Sequence, residues 1–440
     1  MVLAQCRLRP AGGLNGGSFP STEHYFGLDE KTGKLVHVHA YFKVITGESL
    51  AKNFHLPIEE MLLDNTRMEH SVRVPTKAAE LVVFTIRMLL KHTTLVEFAL
   101  LCRDGKSLRK ESASLIDANS IEEAGQLVEK WLPTLDRRLF EQCALALRVP
   151  APLWVRLKLA RRVRSSLRMY ARHSQTRSSW TGLSTFTRML IRRLARSKKA
   201  LRLRSGGALV AFVGPEATGK TTLINEVYGW LGEHFDVECV HAGKPASTKT
   251  TLIPNLAVPL LRVMVPALRP SKLEDRQARL KDNTQVPWVY PLSFAFRSVL
   301  LAYDRRVLLT RAFARAANGT IVLCDRYPYC VPGAPDGPKL MHYPLPRDRY
   351  PIRHMLAALE RKLYLQTPEA DLIICLTIPV EIAIARNSSR GKKEPEEYVR
   401  RRHAVGVSVP AGRTPVCLID TNHRLQDTVR EIKRTIWNIL

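Results

Sequence analysis

Residues 208–222 read ALVAFVGPEATGKTT, an apolar run followed by a loop that begins at Gly214 and ends in Gly219, Lys220 and Thr221. The loop fits the phosphate-binding pattern G-x-x-x-x-G-K-[ST]. The apolar run predicts a buried parallel strand, and the residues after the loop have helical spacing. Backbone N–H groups of such a loop surround a polyphosphate, helped by the positive end of the following helix. The stretch therefore predicts nucleotide binding in an α/β fold.

The loop also predicts individual roles. Lys220 is expected to reach the outer phosphates of ATP, and the Thr221 hydroxyl to bind Mg²⁺. The other residues predicted to bind the nucleotide lie in the loop and the first helical turn: Gly214, Glu216, Ala217, Thr218, Gly219 and Thr222.

A second candidate site lies at Asp325-Arg326-Tyr327, directly after the apolar run at 320–324. A strand that ends in Asp projects a carboxylate toward the phosphate-binding loop, which suits a magnesium-associated acid. The adjacent Arg326 is able to clamp a phosphate with two hydrogen bonds.

The composition favours a globular protein with two or three domains. The chain has 440 residues, of which 45% are hydrophobic. Its eight cysteines include no C-x-x-C pair, which favours free thiols in a reducing compartment over disulfides or a zinc site. We find no signal-peptide core and no apolar run of membrane-spanning length. The expected location is the cytoplasm, with peripheral membrane attachment left open.

Three regions separate by pattern. Residues 1–150 predict an α+β domain, and residues 151–205 predict a linker of basic amphipathic helices. Residues 206–440 alternate strands and helices, which is typical of a parallel sheet with crossover helices. The proline-punctuated stretch 254–291 predicts an insertion or a substrate-side flap. The expected central strands besides that at 208–213 are 237–240, 320–324, 371–378 and 415–419.

The net charge of +28 is concentrated in one block. Between Gln142 and Pro215 there are 17 Lys or Arg residues and no Asp or Glu. Three partners are open for residues 151–205: an acidic surface on this or another protein, an anionic membrane face, or nucleic acid. Nucleic acid is disfavoured, because aromatic residues are sparse there and no nucleic-acid-binding signature accompanies the block.

The two sites together resemble the thymidylate kinase family of P-loop nucleotide kinases. That family is marked by Gly-x-Glu-x-x-Gly-Lys-Thr-Thr, here 214–222, and by Asp-Arg-Tyr, here 325–327. An Asp-Arg pair at 304–305, a strand and helix leading to Arg386, and a last strand and helix ending at Leu440 complete the resemblance. It covers 207–440.

The resemblance implies roles for particular residues. Glu216 and Tyr327 would meet the acceptor, and Arg326 and Arg305 would grip its phosphate. Asp325 would organise metal or acceptor. A mobile lid would supply cations to the transferring phosphoryl group: Arg386, Arg390, Lys392 and Lys393. The triplet Arg400-Arg401-Arg402 is expected at the surface.

The sequence departs from the family where the acceptor base would bind. Residues 328–339 read PYCVPGAPDGPK in place of a Ser and an Ala-Tyr-Gln stretch, and 240–248 lack the usual Arg-Glu-Pro-Gly. The resemblance therefore implies phosphoryl transfer from ATP to a nucleoside monophosphate or related small phosphate acceptor. A kinase for a sugar-type acceptor and an ATP-binding regulatory protein without turnover stay open, as does a homodimer.

The N-terminal region resembles the latter part of a nucleotidyltransferase-like domain. The resemblance rests on the strand that carries His37 and His39 and on the Phe54-His55-Leu-Pro that follows. Because no Gly-Ser with paired Asp precedes them, a degenerate, acceptor-recognition or truncated domain is expected.

Overall fold

The structure is a computed structural model that describes residues 7–13, 21–48, 51–91, 111–148, 151–194, 200–248, 250–252, 289–328, 336–343, 345–389, 394–404 and 414–440. The chain divides into two compact units. Unit 1 comprises Met1–Gly17, His24–Val38 and Lys199–Leu440, and unit 2 comprises Ser18–Glu23 and His39–Lys198.

The strands, in chain order, are β1 (Arg9–Gly13), β2 (Thr22–Asp29), β3 (Lys34–Tyr41), β4 (Val44–Thr46), β5 (Phe54–Leu56), β6 (Thr66–Glu69), β7 (Val72–Pro75), β8 (Leu201–Leu203), β9 (Ala208–Val213), β10 (Val237–His241), β11 (Ile321–Asp325), β12 (Leu372–Thr377) and β13 (Val416–Asp420).

The α-helices used below are α1 (Glu59–Asp64), α2 (Lys77–Lys91), α3 (Ala118–Trp131), α4 (Arg137–Arg148), α5 (Leu153–Ser166), α6 (Gln175–Leu194), α7 (Lys220–Gly232), α8 (Leu292–Ala317), α9 (Pro351–Leu365), α10 (Val380–Ser388), α11 (Glu396–Ala404) and α12 (Leu425–Ile439).

A five-stranded parallel sheet in the order β10-β11-β9-β12-β13 forms the centre of unit 1. All six residues of β9 are buried, because the strand lies in the middle of a sheet with apolar residues on both faces. Its pairing with β11 sets Asp325 opposite Phe212. The two motifs found in the sequence therefore meet at the carboxyl edge of neighbouring strands.

Helices cover both faces of this sheet. Alternate residues of β9 point to opposite faces, so Val210 and Phe212 pack with side chains of α7 and α12. Leu209 and Ala211 pack on the other face with Leu309 and further residues of α8. With the loop at 214–219 between β9 and α7, this is the fold of a P-loop NTPase. The predicted α/β class is confirmed, and the four other strands lie within one residue of their predicted bounds.

The structure divides the chain differently from the predicted domains 1–150, 151–205 and 206–440. The first strands extend unit 1 in a second sheet of order β3-β2-β1-β8, in which Ala11 pairs with Leu203. Phe26 is fully buried in the same core cluster as the central sheet, with its ring centroid 4.8 Å from that of Phe235. Burial of apolar side chains from residues 9–28 thus ties the start of the chain to the predicted kinase region.

Unit 2 is built around helices. Its core collects apolar side chains of α2, α3, α4 and α5, together with β5 and α1. Part of the predicted linker belongs to this core, because Leu159, Ala160 and Val163 of α5 are buried in it. α6 differs: none of its described side chains is buried. Within the part of the chain that the structure describes, no helix is both long and apolar enough to cross a bilayer. Most of the predicted flap at 254–291 lies outside the described residues.

The close approach of Gly207 to the loop before β11 gives a stability prediction. A Cβ at Gly207 would lie 1.9 Å from the carbonyl oxygen of Thr320, whereas one at Gly229 on α7 meets nothing within 4 Å. We expect Gly207→Ala to lower the free energy of unfolding by about 2 kcal/mol or more, through overpacking. Gly229→Ala should leave it unchanged or raise it by up to about 1 kcal/mol, as alanine favours helix.

Urea denaturation of both variants measures the two effects. Equal stability of Gly207→Ala and the wild type would contradict the packing described here.

Candidate active site

The phosphate-binding loop depends on its two outer glycines. Gly214 has φ of +154°, and a Cβ there would lie 2.7 Å from the carbonyl oxygen of Leu376 on β12. Gly219 has φ of +84°, a left-handed conformation, immediately before α7 begins at Lys220. Only glycine takes both conformations without strain or clash. The pattern therefore places glycines where the backbone turns most sharply.

Two residues with side chains also have positive φ at this site. Ala217 in the loop has φ of +63°, and Arg326 after β11 has φ of +61°. A left-handed conformation costs a residue with a Cβ about 1–2 kcal/mol. Strain of this kind collects where function fixes the backbone. Two of the seven non-glycine residues with positive φ in the described parts of the chain are therefore predicted site residues.

The side chain of Lys220 folds back over the loop. Its ammonium donates to the carbonyl oxygens of Gly214 at 2.9 Å and Pro215 at 2.7 Å, with the Thr218 hydroxyl at 3.4 Å. Burial lowers the pKa of Lys220 to about 8, although Glu216 and Asp325 favour the charged form. A polyphosphate would offer charged acceptors in place of these carbonyls.

Glu216 lies between two guanidinium groups. Its Oε1 accepts from an N–H of Arg326 at 3.2 Å and lies 3.5 Å from Arg402. Burial alone would raise the pKa of Glu216, but Arg326, Lys220 and Arg402 more than offset it and hold the pKa below its usual value. Ionised Glu216 therefore keeps both arginines beside the loop.

The contribution of α11 was not found from the sequence. Arg402 was predicted at the surface, but its side chain is only 21% exposed and faces Glu216. His403, one residue on, has its Nε2 3.0 Å from the Glu216 carbonyl oxygen, which can only accept, so Nε2 donates. The triplet looked like a solvated face because charge runs on helices usually are. Its partner lies nearly two hundred residues earlier in the chain, beyond any local signal.

Asp325 ends β11 beside the loop. Its Oδ2 lies 3.9 Å from His241 Nε2. Its Oδ1 is buried and has no hydrogen-bond partner among the described residues. A buried carboxylate oxygen without a partner is unfavourable unless a cation or donor satisfies it. Together with the Thr221 hydroxyl in the first turn of α7, this oxygen is of the hard donor type that Mg²⁺ prefers.

The charges of these side chains favour an anionic ligand. Lys220, Arg326 and Arg402 carry three positive charges, and Glu216 and Asp325 carry two negative charges, so the group has a net charge of about +1 with Lys220 protonated. The N-terminus of α7 adds the positive end of a helix dipole. Arg326 and Arg402 share one oxygen of Glu216, which leaves other N–H groups of both able to bind phosphate oxygens.

The structure gives Arg305 contacts other than those predicted. Arg305 is 2% exposed, and its five N–H groups donate to Ala242 O, Gly243 O, Tyr364 Oη and two oxygens of Asp336. Asp304, also buried, accepts from the Thr251 hydroxyl at 2.6 Å. Arg305 therefore ties segments together rather than presenting a free donor to an acceptor phosphate. Asp304 and Arg305 were predicted from a sequence motif, and a motif does not show whether its side chains are buried.

Tyr327 and helix α9 also hold together the segments around Arg305. Tyr327 is buried, and its hydroxyl donates to the Pro368 carbonyl oxygen, so it faces the core rather than an acceptor. Glu360 on α9 is 1% exposed and accepts from the backbone N–H groups of Lys339 and Leu340. Burial raises the pKa of Glu360 despite these two bonds. No sequence signal singled out Glu360 or Tyr364.

The predicted lid is described only in part. Arg386 at the end of α10 donates to the Thr421 carbonyl oxygen at 2.8 Å, next to the end of β13. Thr222 is exposed in the first turn of α7. Arg390, Lys392 and Lys393 lie outside the described residues. Their roles as lid cations stay predictions.

Comparisons with known proteins give distant relatives. No family model matches the chain. The uncharacterized ATP-binding protein YghR of Escherichia coli strain K12, and that of E. coli O6:H1 strain CFT073, are each 26% identical over 234 residues, covering 52% of this chain and 86% of theirs.

Three kinases are among the solved structures similar to the chain. One is a deoxyadenosine kinase from M. mycoides with bound dATP (TM-score 0.29, 14% identity, 52% of this chain and 98% of that one). A gluconokinase from Sinorhizobium meliloti 1021 has a TM-score of 0.27 and 13% identity, over 53% of this chain and 93% of that one. A thymidylate kinase from Candida albicans has a TM-score of 0.32 and 16% identity, over 53% of this chain and 94% of that one. The strand order and the geometry of the loop at 214–219 identify the fold. The N-terminal resemblance to nucleotidyltransferases finds no support among these proteins.

The ion pair between Glu216 and Arg402 gives a prediction at two pH values. A double-mutant cycle of Glu216→Gln and Arg402→Met should show a stabilising coupling of about 1 kcal/mol in urea denaturation at pH 7. Because the pKa of Glu216 is lowered in the folded protein, its ionised form stabilises the fold above the ordinary value of 4.5. That contribution is lost as the pH falls through the folded-state pKa.

The exposed pair Glu396 and Arg400 on α11 is the matched control, with a coupling of at most about 0.5 kcal/mol. A coupling for Glu216 and Arg402 at pH 7 no larger than that of the control would contradict the described contact, as would a coupling that does not fall between pH 7 and a pH low enough to protonate Glu216.

Proposed function

We propose that this protein transfers the γ-phosphoryl group of ATP to a small acceptor that itself carries a phosphate, such as a nucleoside monophosphate. The proposal rests chiefly on one arrangement: Lys220 in the phosphate-binding loop shares its surroundings with Arg326 and Arg402, which Glu216 holds together. A loop that only bound nucleotide would need no second cluster of cations. Cations beside the loop stabilise the charge of the transferring phosphoryl group, and an acceptor with its own negative charge adds to the charge that they must offset.

The residues divide into two sets. Lys220 and the backbone of 214–219 would bind the β- and γ-phosphates, which agrees with the name of the relatives as ATP-binding proteins. Arg326 and Arg402 would exchange Glu216 for phosphate oxygens of the acceptor and the transferring group. In the reaction an acceptor phosphate oxygen forms a bond to the γ-phosphorus, the bond to the bridging β,γ-oxygen breaks, and ADP leaves. Phosphoryl transfer needs alignment and charge neutralisation rather than covalent catalysis by the protein.

Magnesium fits the donor set present. The unpartnered Oδ1 of Asp325 and the hydroxyl of Thr221 would hold the ion, directly or through its waters. When bound, Mg²⁺ neutralises charge on the nucleotide phosphates.

The acceptor is proposed only as a class. Tyr327 is buried and Arg305 has its N–H groups committed to the protein, so neither is placed as the thymidylate kinase resemblance implies. The loop that Arg305 and Glu360 hold, from Asp336 to Leu340, differs from that family in sequence. An acceptor base other than thymine accords with both observations.

The lowered pKa of Lys220 predicts how ATP affinity changes with pH. Because the ammonium is half deprotonated near pH 8 in the nucleotide-free protein, affinity should fall above that pH. The fall is at most about tenfold per pH unit, and it continues until the pH passes the higher pKa of Lys220 in the complex. In Lys220→Arg the charge persists, so whatever affinity this variant has should stay constant from pH 7.5 to 10. Calorimetric titration with ATP measures both, and an equal slope for the two proteins would contradict the assignment of Lys220.

Turnover separates a kinase from an ATP-binding regulator. Purified protein with Mg-ATP should form ADP faster when a phosphate-bearing acceptor is added from a panel of nucleoside monophosphates, nucleosides and sugars. Arg326→Ala should lower that stimulated rate about 10²–10³-fold, the size seen when one transition-state donor is removed. Its ATP affinity should stay within about threefold of wild type. Arg430→Ala, an exposed arginine on α12, is the control.

Other results would redirect the proposal. Stimulation by an unphosphorylated sugar would contradict the phosphate-bearing acceptor. Tight ATP binding without stimulation by any member of the panel would favour a regulator.

A further inference from the structure

The helix α6 carries an apolar face that the fold of unit 2 does not bury. Trp180 is 72% exposed and Ile191 64%, and Leu183, Phe186 and Leu190 are also exposed. At about 100° per residue these five side chains fall within an arc of about 140° on one side of the helix. An arc of this width is the apolar stripe of an amphipathic helix that packs against something. We call it the α6 face.

Arginines flank the α6 face. Arg177 and Arg188 are exposed and lie about 40° and 60° beyond Ile191 around the helix, and the sequence continues with Arg192, Arg193 and Arg196. No Asp or Glu occurs anywhere from Gln142 to Pro215. A helix that only needed solubility would mix both signs of charge. The charge therefore favours an anionic partner.

The hydroxyls on α6 are compatible with a lipid surface. Those of Thr181, Ser184, Thr185 and Thr187 each donate to a backbone carbonyl oxygen within the same helix. They therefore keep a hydrogen-bond partner when water is removed, and need no acceptor from a partner surface.

We propose that α6 binds the surface of an anionic membrane. The helix lies in the plane of the interface, with the α6 face at the boundary of headgroups and acyl chains and its arginines among the lipid phosphates. The Trp and Phe suit this boundary, and the positive charge with no acidic residue suits anionic lipid. Nucleic acid would bind the arginines but leave the apolar side chains in water.

Vesicle flotation of the full-length protein tests the proposal. The protein should float with vesicles of phosphatidylcholine containing 30% phosphatidylserine, and at least about tenfold more weakly with phosphatidylcholine alone, since several arginines lie near the surface. Salt at 0.5 M should weaken the binding, because it screens the charges. Trp180 fluorescence, taken as the difference between wild type and Trp180→Phe, should shift to shorter wavelength on binding.

A double variant on the α6 face is the decisive comparison. Leu183→Ser with Ile191→Ser should weaken vesicle binding about tenfold or more, because two large apolar side chains no longer leave water. The control is Leu63→Ser with Met68→Ser, which alters equally exposed apolar residues elsewhere in unit 2 and should bind like wild type. Circular dichroism and thermal unfolding check that both variants fold. Lys220→Ala should float like wild type, which separates this proposal from the proposed kinase activity.

Three results would overturn the proposal. One is absence of flotation by the folded wild type, and another is equal binding by the α6 face variant. The third is binding to polyglutamate that depends on Leu183 and Ile191 without any vesicle binding, which would assign the face to an acidic protein.

Discussion

The parallel pairing of β9 with β11 is the constraint on which the candidate site depends. It sets Asp325 opposite Phe212, two residues before Gly214, so the acid and the phosphate-binding loop share one edge of the sheet. Arg326 follows at once, and its backbone N–H donates to the Phe212 carbonyl oxygen. Packing on both faces of β9 fixes this register, since a shift of one residue would move Phe212 from the side of α7 and α12 to the side of α8, where Leu209 and Ala211 now pack. The strained φ of Ala217 and Arg326 is held by the same frame.

Much of the frame was predictable, because its signals are local. The loop pattern at 214–222 and the apolar runs that became β9 to β13 depend on residues close in sequence, and the structure confirms them. What the sequence did not yield depends on distant contacts. Arg402 reaches Glu216 from α11, and Phe26 packs near Phe235 from the other end of the chain. Neither contact produces a periodicity or a motif in the sequence. For that reason the basic triplet at 400–402 was predicted at the surface, and the first strands were predicted in a separate domain.

The residues to which the family resemblance assigns roles have different surroundings in the structure, for a physical reason. Lys220 and Glu216 lie in or next to the phosphate-binding loop, whose backbone conformation fixes the positions of their side chains. Lys220 donates to a loop carbonyl oxygen, and Glu216 pairs with Arg326. Arg305 and Tyr327 lie on elements that the core can absorb, and there burial and internal hydrogen bonds decide their contacts. Glu360 and Arg305 supply polar partners to the segment from Asp336 to Leu340, on which the proposed acceptor side would depend.

A structure with Mg²⁺ and a non-hydrolysable ATP analogue would show whether the loop and the residues around it bind nucleotide as proposed. In the nucleotide-free protein Lys220 Nζ donates to the carbonyl oxygens of Gly214 and Pro215. We expect Nζ to move to the β- and γ-phosphates, and the metal to lie beside Thr221 and Asp325. We also expect Arg326 or Arg402 to leave Glu216 for a phosphate oxygen. An analogue bound elsewhere, with Lys220 still on the loop carbonyls, would contradict the proposed function.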